Sequence, residues 1–248
     1  MTTNVLDFKA KRITSDSRWS LMIDKYFCYV DDSGFDKIAN RAGAAMICAG
    51  DARLIDQWKQ WFHKGDPDAD LPGTYRTLAN GQMSDVCISI IEKPIFTVDC
   101  KSGSYHAYET FASFCGSGGA AALSCYASNG CSFRCVETAS KHDIQTGGSV
   151  KFVEIDTQKH NLGPANTTYA DLEESFLKRG RIMNLVTGEF ANVQPIDEGV
   201  LRQALSAGTV ALTAPTGHAP RAWTEEEKQA ARDAMRRIIA REQASNQD

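Results

Sequence analysis

The chain has 248 residues, enough for one large domain or one domain with an appendage. Hydrophobic residues make up 42% and charged residues 23%, the balance of a globular protein, and the net charge of −4 argues against a dedicated nucleic-acid binder. No apolar run approaches the ~18 residues of a transmembrane helix, and the start lacks the basic-then-apolar pattern of a signal peptide, so a cytoplasmic protein without membrane partners is expected.

Residues 2–8 and 11–18 read as two strands around a tight turn at Lys9-Ala10. Residues 19–34 read as irregular, with an aromatic patch (Tyr26, Phe27, Tyr29) and a turn at Asp31 to Gly34. Strand candidates follow at 36–40 and 43–49; the second is nearly all apolar, as a strand buried on both faces would be. Gly50-Asp51 then opens an amphipathic helix with Leu54, Ile55, Trp58, Trp61 and Phe62 on one side. Residues 64–83, rich in Gly, Pro and Asp, read as a loop.

Val86 to Ile91, Ile95 to Val98 and Tyr105 to Phe114 supply more strand material, the second turning through Asp99 to Gly103. Gly116-Ser117-Gly118-Gly119 launches an alanine-rich helix, broken at Ser128 to Gly130, and a second helix spans about 132–142. Asp143 to Gly148 is a turn before a strand at Val150 to Ile155. Helices grouped outside mostly antiparallel sheets imply an α+β layered domain.

After residue 157 the texture changes, and residues 158–248 are expected to form a C-terminal extension to a core of residues 1–157. It holds a polar stretch at 158–168, a helix near 168–179, strand-like Ile182 to Val186 and a short helix near 197–207. Thr213 to Arg221, with two prolines and a glycine, reads as a linker. The capping box Thr224 to Glu227 then opens a helix over 224–243, whose stripe of Ala231, Ala234, Met235 and Ile238 is so narrow that a mostly solvated helix is favoured over a partner-binding one.

The eight cysteines (Cys28, Cys48, Cys87, Cys100, Cys115, Cys125, Cys131, Cys135) include no CxxC pair and are expected to be reduced. Cys131 and Cys135 could share a helix face with His142 downstream, but buried free cysteine is the favoured reading over zinc. No cofactor is expected.

Chemistry collects in five places. Thr2-Thr3 lies at the start; a threonine that heads the mature chain can act as nucleophile with its own α-amine as base. Then come Ser15-Asp16-Ser17-Arg18 ending the second strand, Lys37-Ile38 ahead of a buried strand that ends Ala49-Gly50, Gly116 to Gly119 opening a helix, and Asp143-x-x-Thr146-Gly147-Gly148 before a late strand. Taken together, in this order and at these separations, they resemble the β-subunit type of the proteasome family, and especially its compact bacterial HslV- and Anbu-like peptidases. The resemblance covers about residues 2–156.

The resemblance implies a four-layer αββα sandwich of the N-terminal-nucleophile hydrolase type and a threonine peptidase. Thr2 matches the nucleophile, provided Met1 is removed; retained Met1 would abolish the mechanism, and Thr3 is a poor substitute. Asp16 matches the acid that holds the catalytic lysine. Lys37 matches that lysine, at about the family separation from Gly50, with Lys25 as a rival because the stretch from Asp16 to Lys37 is longer than usual and needs an insertion near 22–34. An ammonium here would lower the pKa of the Thr2 amine and itself needs a carboxylate partner.

Gly50 matches the oxyanion-hole glycine, although from the sequence alone a plain helix-start glycine is the favoured reading. Ser117 matches the serine near the terminal amine, or a helix N-cap. Asp143 and Thr146 match a late Asp-x-x-Ser-Gly-Gly in which Thr keeps the hydroxyl, or a simple turn.

Family members work as homo-oligomeric rings or short helical assemblies acting on polypeptide substrates in a chamber. The HslV type is fed by a ring ATPase, and this sequence carries no GxxxxGK[ST] motif, so any ATP-dependent unfoldase would be a separate chain. Two alternatives stand beside the peptidase: a catalytically inactive scaffold or partner-binding ring component, favoured by the insertion and the long tail, and a small-amide N-terminal-nucleophile hydrolase, ranked last because such enzymes usually cleave an internal precursor bond.

Overall fold

The computed structural model describes residues 2–93, 97–101, 105–192 and 198–245, with the backbone alone for 97–101 and 190–192. In chain order the elements are β1 (Asn4–Asp7), β2 (Arg12–Ser15), β3 (Trp19–Ile23), β4 (Tyr26–Val30), β5 (Ile38–Arg41), β6 (Ala44–Asp51), α1 (Ala52–Lys64), β7 (Tyr75–Thr77) and β8 (Met83–Glu92). They continue with β9 (Thr97–Lys101), β10 (His106–Tyr108), β11 (Ala112–Cys115), α2 (Gly119–Asn129), α3 (Ser132–His142) and β12 (Lys151–Glu154). The last part holds α4 (Tyr169–Arg179), β13 (Arg181–Asn184), β14 (Phe190–Asn192), α5 (Glu198–Ser206), β15 (Thr213–Ala214) and α6 (Glu225–Ser245).

The described residues form a mixed α+β protein of six helices and two antiparallel sheets. The smaller sheet has the order β10-β11-β1-β2-β12. The larger runs β14-β13-β4-β3-β15-β6-β8-β7, with β5 alongside β6 and β9 alongside β8.

Three apolar clusters account for the packing. One, with Leu6, Ile13 and Val153 from the smaller sheet and Ile38, Ile47 and Ile91 from the larger, lies between the sheets. A second joins Val5 and Phe114 of the smaller sheet to Ala122, Tyr126, Val136 and Ala139 of α2 and α3. The third and largest joins the opposite face of the larger sheet to helices α1, α4, α5 and α6. Each fully buried Leu, Ile or Phe contributes roughly 1.5–3 kcal/mol to this packing.

Local chemistry explains the elements around the site. Asp51 caps α1 by accepting from the amides of Arg53 at 2.9 Å and Leu54 at 3.4 Å, and Gly65 ends the helix in the left-handed conformation. The small residues Ala44, Ala45, Ala49 and Gly50 let β6 lie wholly buried between partners on both edges.

Three expectations change; the first is that Tyr75–Thr77, within the loop expected at 64–83, forms β7 against β8. Residues 19–30 are not irregular: they form the β3–β4 hairpin, turning at Asp24, whose φ is 51°. Phe27, Cys28, Tyr29 and Val30 are all buried, which removes the in–out alternation that marks a strand in sequence. Thr213 to Arg221 is not a linker, because β15 is inserted in the larger sheet between β3 and β6. The final helix keeps its expected narrow stripe: Ala231, Ala234, Met235 and Ile238 are fully buried in the largest cluster, and its other residues are partly or fully exposed.

The expected strand at Ile95 to Val98 and turn at Asp99 to Gly103 fall partly on 94–96 and 102–104, outside the described residues, while Thr97–Lys101 is strand. The start of the helix expected near 197–207 likewise falls outside them. Residues 158–248 supply β13, β14 and β15 to the larger sheet and three helices to its outer face. No helix among the described residues is long and apolar enough to cross a membrane.

Candidate active site

The register of β1 on β2 pairs Asn4 with Ser15, and the pairing carries one step further, where Asp16 N–H donates to the Thr3 carbonyl at 3.3 Å. This brings Asp16 alongside the first two threonines. Its Oδ1 accepts from the Thr3 amide at 3.0 Å, from Lys37 Nζ at 2.8 Å and from the Thr2 hydroxyl. Its Oδ2 accepts from the amides of Arg18 and Gly147, both at 3.1 Å. Five donors thus offset the burial of this carboxylate, which is 1% exposed.

Lys37 reaches the same point from the segment leading into β5. Its Nζ donates to Thr2 Oγ1 at 2.6 Å and to Asp16 Oδ1 at 2.8 Å, and it stands 5.6 Å from the Trp19 ring. Burial pulls Lys37 below the ordinary lysine value, while the charge of Asp16 and its hydrogen bond act to raise it. Lys25 is exposed in the β3–β4 turn and takes no part.

A second cluster adjoins the first. Ser117 Oγ donates to Asp143 Oδ2 at 2.6 Å, and Thr146 Oγ1 donates to the same oxygen at 2.7 Å. Thr146 Oγ1 is 2.9 Å from Thr3 Oγ1; since its own proton goes to Asp143, Thr3 is the donor. The protons therefore run from Thr3 to Thr146 to Asp143, with Ser117 converging on the same carboxylate. Ser117 is not a helix cap: α2 starts two residues later, at Gly119, with Gly118 as N-cap.

Backbone packs tightly around both threonines. A Cβ on Gly116, whose φ is 85°, would lie 2.0 Å from the Thr2 carbonyl oxygen, and one on Gly118 would lie 1.9 Å from Thr3 Oγ1. Only glycine fits at either place. At Gly147 the nearest group is the Arg18 guanidinium, 2.4 Å from where a Cβ would be, so a side chain there would have to displace the end of Arg18.

Of the seven residues singled out from sequence, Thr2, Asp16 and Lys37 form one hydrogen-bonded cluster, and Ser117, Asp143 and Thr146 form the second. Gly50, with φ of 118°, lies near the C-terminal end of β6, and the carbonyl of Cys48, two residues earlier, accepts the side-chain amide of Asn4 at 3.0 Å. Sequence reasoning missed the hydroxyl of Thr3, which joins the clusters, and the amide of Gly147, which binds Asp16. The Thr146-Gly147-Gly148 run was the available signal for Gly147. Met1 lies outside the described residues.

Seven cysteines are free, and the side chain of Cys100 lies outside the described residues. Cys131 is the N-cap of α3 and Cys135 is buried within it. Among the described residues, no group of three His, Cys, Asp or Glu is placed to hold a metal ion.

Fold and site together define an α+β protein with a buried Thr–Asp–Lys cluster beside a Ser–Asp–Thr cluster. No family model matches the chain, and no curated protein matches it.

Proposed function

We propose that the chain is a threonine peptidase of the proteasome-like, N-terminal-nucleophile type, with Thr2 as the first residue of the mature protein. The observation that carries this reading is the contact of Lys37 Nζ with both Thr2 Oγ1 and Asp16 Oδ1 inside a fully buried cluster. The three apolar clusters, one between the sheets and one under each set of helices, support a four-layer αββα sandwich.

In this reading the Thr2 hydroxyl attacks a peptide carbonyl and passes its proton to the free α-amine of Thr2. The tetrahedral intermediate expels the amine product, which takes that proton, and leaves an ester on Thr2. Water then hydrolyses the ester by the same base. Lys37 places positive charge beside the reacting oxygen and lowers the basicity of the terminal amine toward neutrality. The Gly50 N–H points from β6 toward the position that β15 fills between β6 and β3, and would meet the developing oxyanion once substrate takes that position. Ser117, Asp143 and Thr146 fix the segment on which Thr2 and Thr3 lie.

Assembly into a homo-oligomeric ring or short helical stack, fed by a separate unfoldase, completes the proposal. A second reading, an inactive ring component, is favoured by the complete burial of Thr2. The experiment that separates them is covalent labelling with a threonine-reactive β-lactone followed by peptide mapping. An adduct on Thr2 supports the peptidase. A chain that stays unlabelled under conditions that label a threonine-peptidase control, even with Leu212–Thr216 displaced from beside Gly50, supports the scaffold.

A further inference from the structure

Three amides along one edge of β6 and its continuation into α1 find their partners in two different segments. Cys48 N–H donates to the Lys37 carbonyl at 2.8 Å, and Ala52 N–H donates to the Leu212 carbonyl at 2.9 Å. Between them, Gly50 pairs with Ala214. Hydrogen-bonded pairs in an antiparallel ladder recur at every second residue, so the pair that follows Ala52 and Leu212 is Gly50 and Ala214. The Gly50 N–H therefore donates to the Ala214 carbonyl. Pro215 has no N–H and cannot extend the ladder. A carbonyl of the chain's own C-terminal third thus occupies the Gly50 donor, one step along the edge from the segment that carries Lys37.

The other side of β15 is held by β3. Thr213 pairs with Ser20, and its hydroxyl donates to the Ser20 carbonyl at 3.3 Å. With β15 removed, β3 and β6 would border a slot one strand wide with main-chain groups on both sides. Such a slot takes an extended polypeptide by strand addition. Past Ala214 the segment continues toward Thr2: a Cβ on Gly217 would lie 3.0 Å from the carbonyl carbon of Gly116, which itself covers Thr2.

The far end of the segment is latched. His218 Nδ1 faces the Ala219 carbonyl at 2.8 Å, so Nδ1 carries the proton, and Nε2, 2.8 Å from Cys87 Sγ, accepts from the thiol. A cavity of about 520 Å³, lined by Gly50, Met83, Pro215, Gly217 and His218 among others, leaves room beside the segment.

We propose that Leu212–Thr216 is a built-in occupant of the slot in which an extended polypeptide substrate lies, so that the folded chain is self-blocked and opens when this segment is lifted out. The inference rests on the threonine-peptidase reading and adds to it the form of the substrate and a brake supplied by the chain itself.

Two released forms test it. One is the double variant Ala214→Pro with His218→Ala, which removes the returning N–H and the thiol latch. The other carries a specific protease site in the turn at 206–208 and is cut after folding, so its fold is formed before release. Hydrogen exchange at Gly50 and Ala52 reports whether the slot has opened. A peptide epoxyketone of four extended residues is expected to label Thr2 at least tenfold faster in the released forms than in the intact chain. Equal rates, with exchange confirming release, overturn the proposal. If neither this probe nor a small β-lactone labels any form, the peptidase reading fails, and binding of a fluorescent extended hexapeptide judges the slot. Binding to the released forms alone upholds it; binding to both or to neither overturns it.

Discussion

Lys37 Nζ lies 2.6 Å from Thr2 Oγ1, and neither residue is more than 1% exposed. The same ammonium lies 2.8 Å from Asp16. Truncation of one member of such a pair leaves a buried charge without its main partner. Lys37→Ala should therefore cost on the order of 3–5 kcal/mol in a urea titration. Labelling of Thr2 should fall at least ~100-fold. Lys25→Ala, at an exposed turn, should change stability by less than about 0.5 kcal/mol and leave labelling intact. Equal effects at the two lysines would remove Lys37 from the site.

Thr146 tests the second cluster. Thr146→Val removes one of the two hydroxyl donors to Asp143 Oδ2 and the acceptor for Thr3, leaving the buried Thr3 hydroxyl unpaired at a cost of roughly 1–3 kcal/mol. Thr146→Ser keeps both bonds and should recover most of the loss. Thermal denaturation of the two variants provides the comparison, and an equal loss in both would mean that packing of the methyl group, not the hydroxyl, matters there.

Gly118→Ala should force Thr3 out of place, since its Cβ would sit 1.9 Å from Thr3 Oγ1. The expected outcome is a folded but weakened protein in which Thr2 labelling is lost. Gly130→Ala is the control: its φ of 63° imposes about 1–2 kcal/mol of strain, but its Cβ meets open space, so labelling should survive.

The thiols divide by burial. Cys28 is pushed up to about 12 by desolvation, and Cys87 and Cys135 are pushed higher still, chiefly for the same reason. Iodoacetamide at pH 8 should leave these three unmodified in the native protein, because the thiolate is the reactive form. Half-buried Cys125 and Cys131 should react first, with peptide mapping as the readout.

Acid should loosen the anchor that follows the slot segment. The Arg221 guanidinium holds Glu227 below the ordinary glutamate value. Stabilisation from this pair is complete above the unfolded value and is lost as pH falls through the lower folded one, because the unfolded chain binds the proton first. The melting temperature should decline below about pH 4.3, the usual glutamate value, and Glu227→Gln should flatten part of that decline. An unchanged pH profile in Glu227→Gln would show that the pair carries no acid sensitivity.

Much of this site was legible in sequence because its pieces are local. Thr2 and Asp16 sit on a short hairpin, Gly50 directly precedes a capped helix, and Asp143 and Thr146 share one turn. Lys37 was separable from Lys25 only by its distance from Gly50, and the structure supplies the physical distinction, burial beside Asp16. The β3–β4 hairpin was missed because burial on both faces erased its alternation. β15 was missed because two residues carry no periodic signal; its conformation comes from Ser20 and Gly50, which lie more than 160 positions away in sequence. The prolines and glycine that suggested a linker instead end the ladder at Pro215 and allow close approach to Gly116 at Gly217.

The most direct measurement of the central claim is the intact mass of the purified chain, whole and with the slot segment released, before and after treatment with a threonine-reactive β-lactone. The peptidase reading predicts a chain without Met1 that gains one adduct, mapped to Thr2, at least in the released form. A chain that retains Met1, or that loses it and stays unlabelled in both forms while a control is labelled, would contradict it.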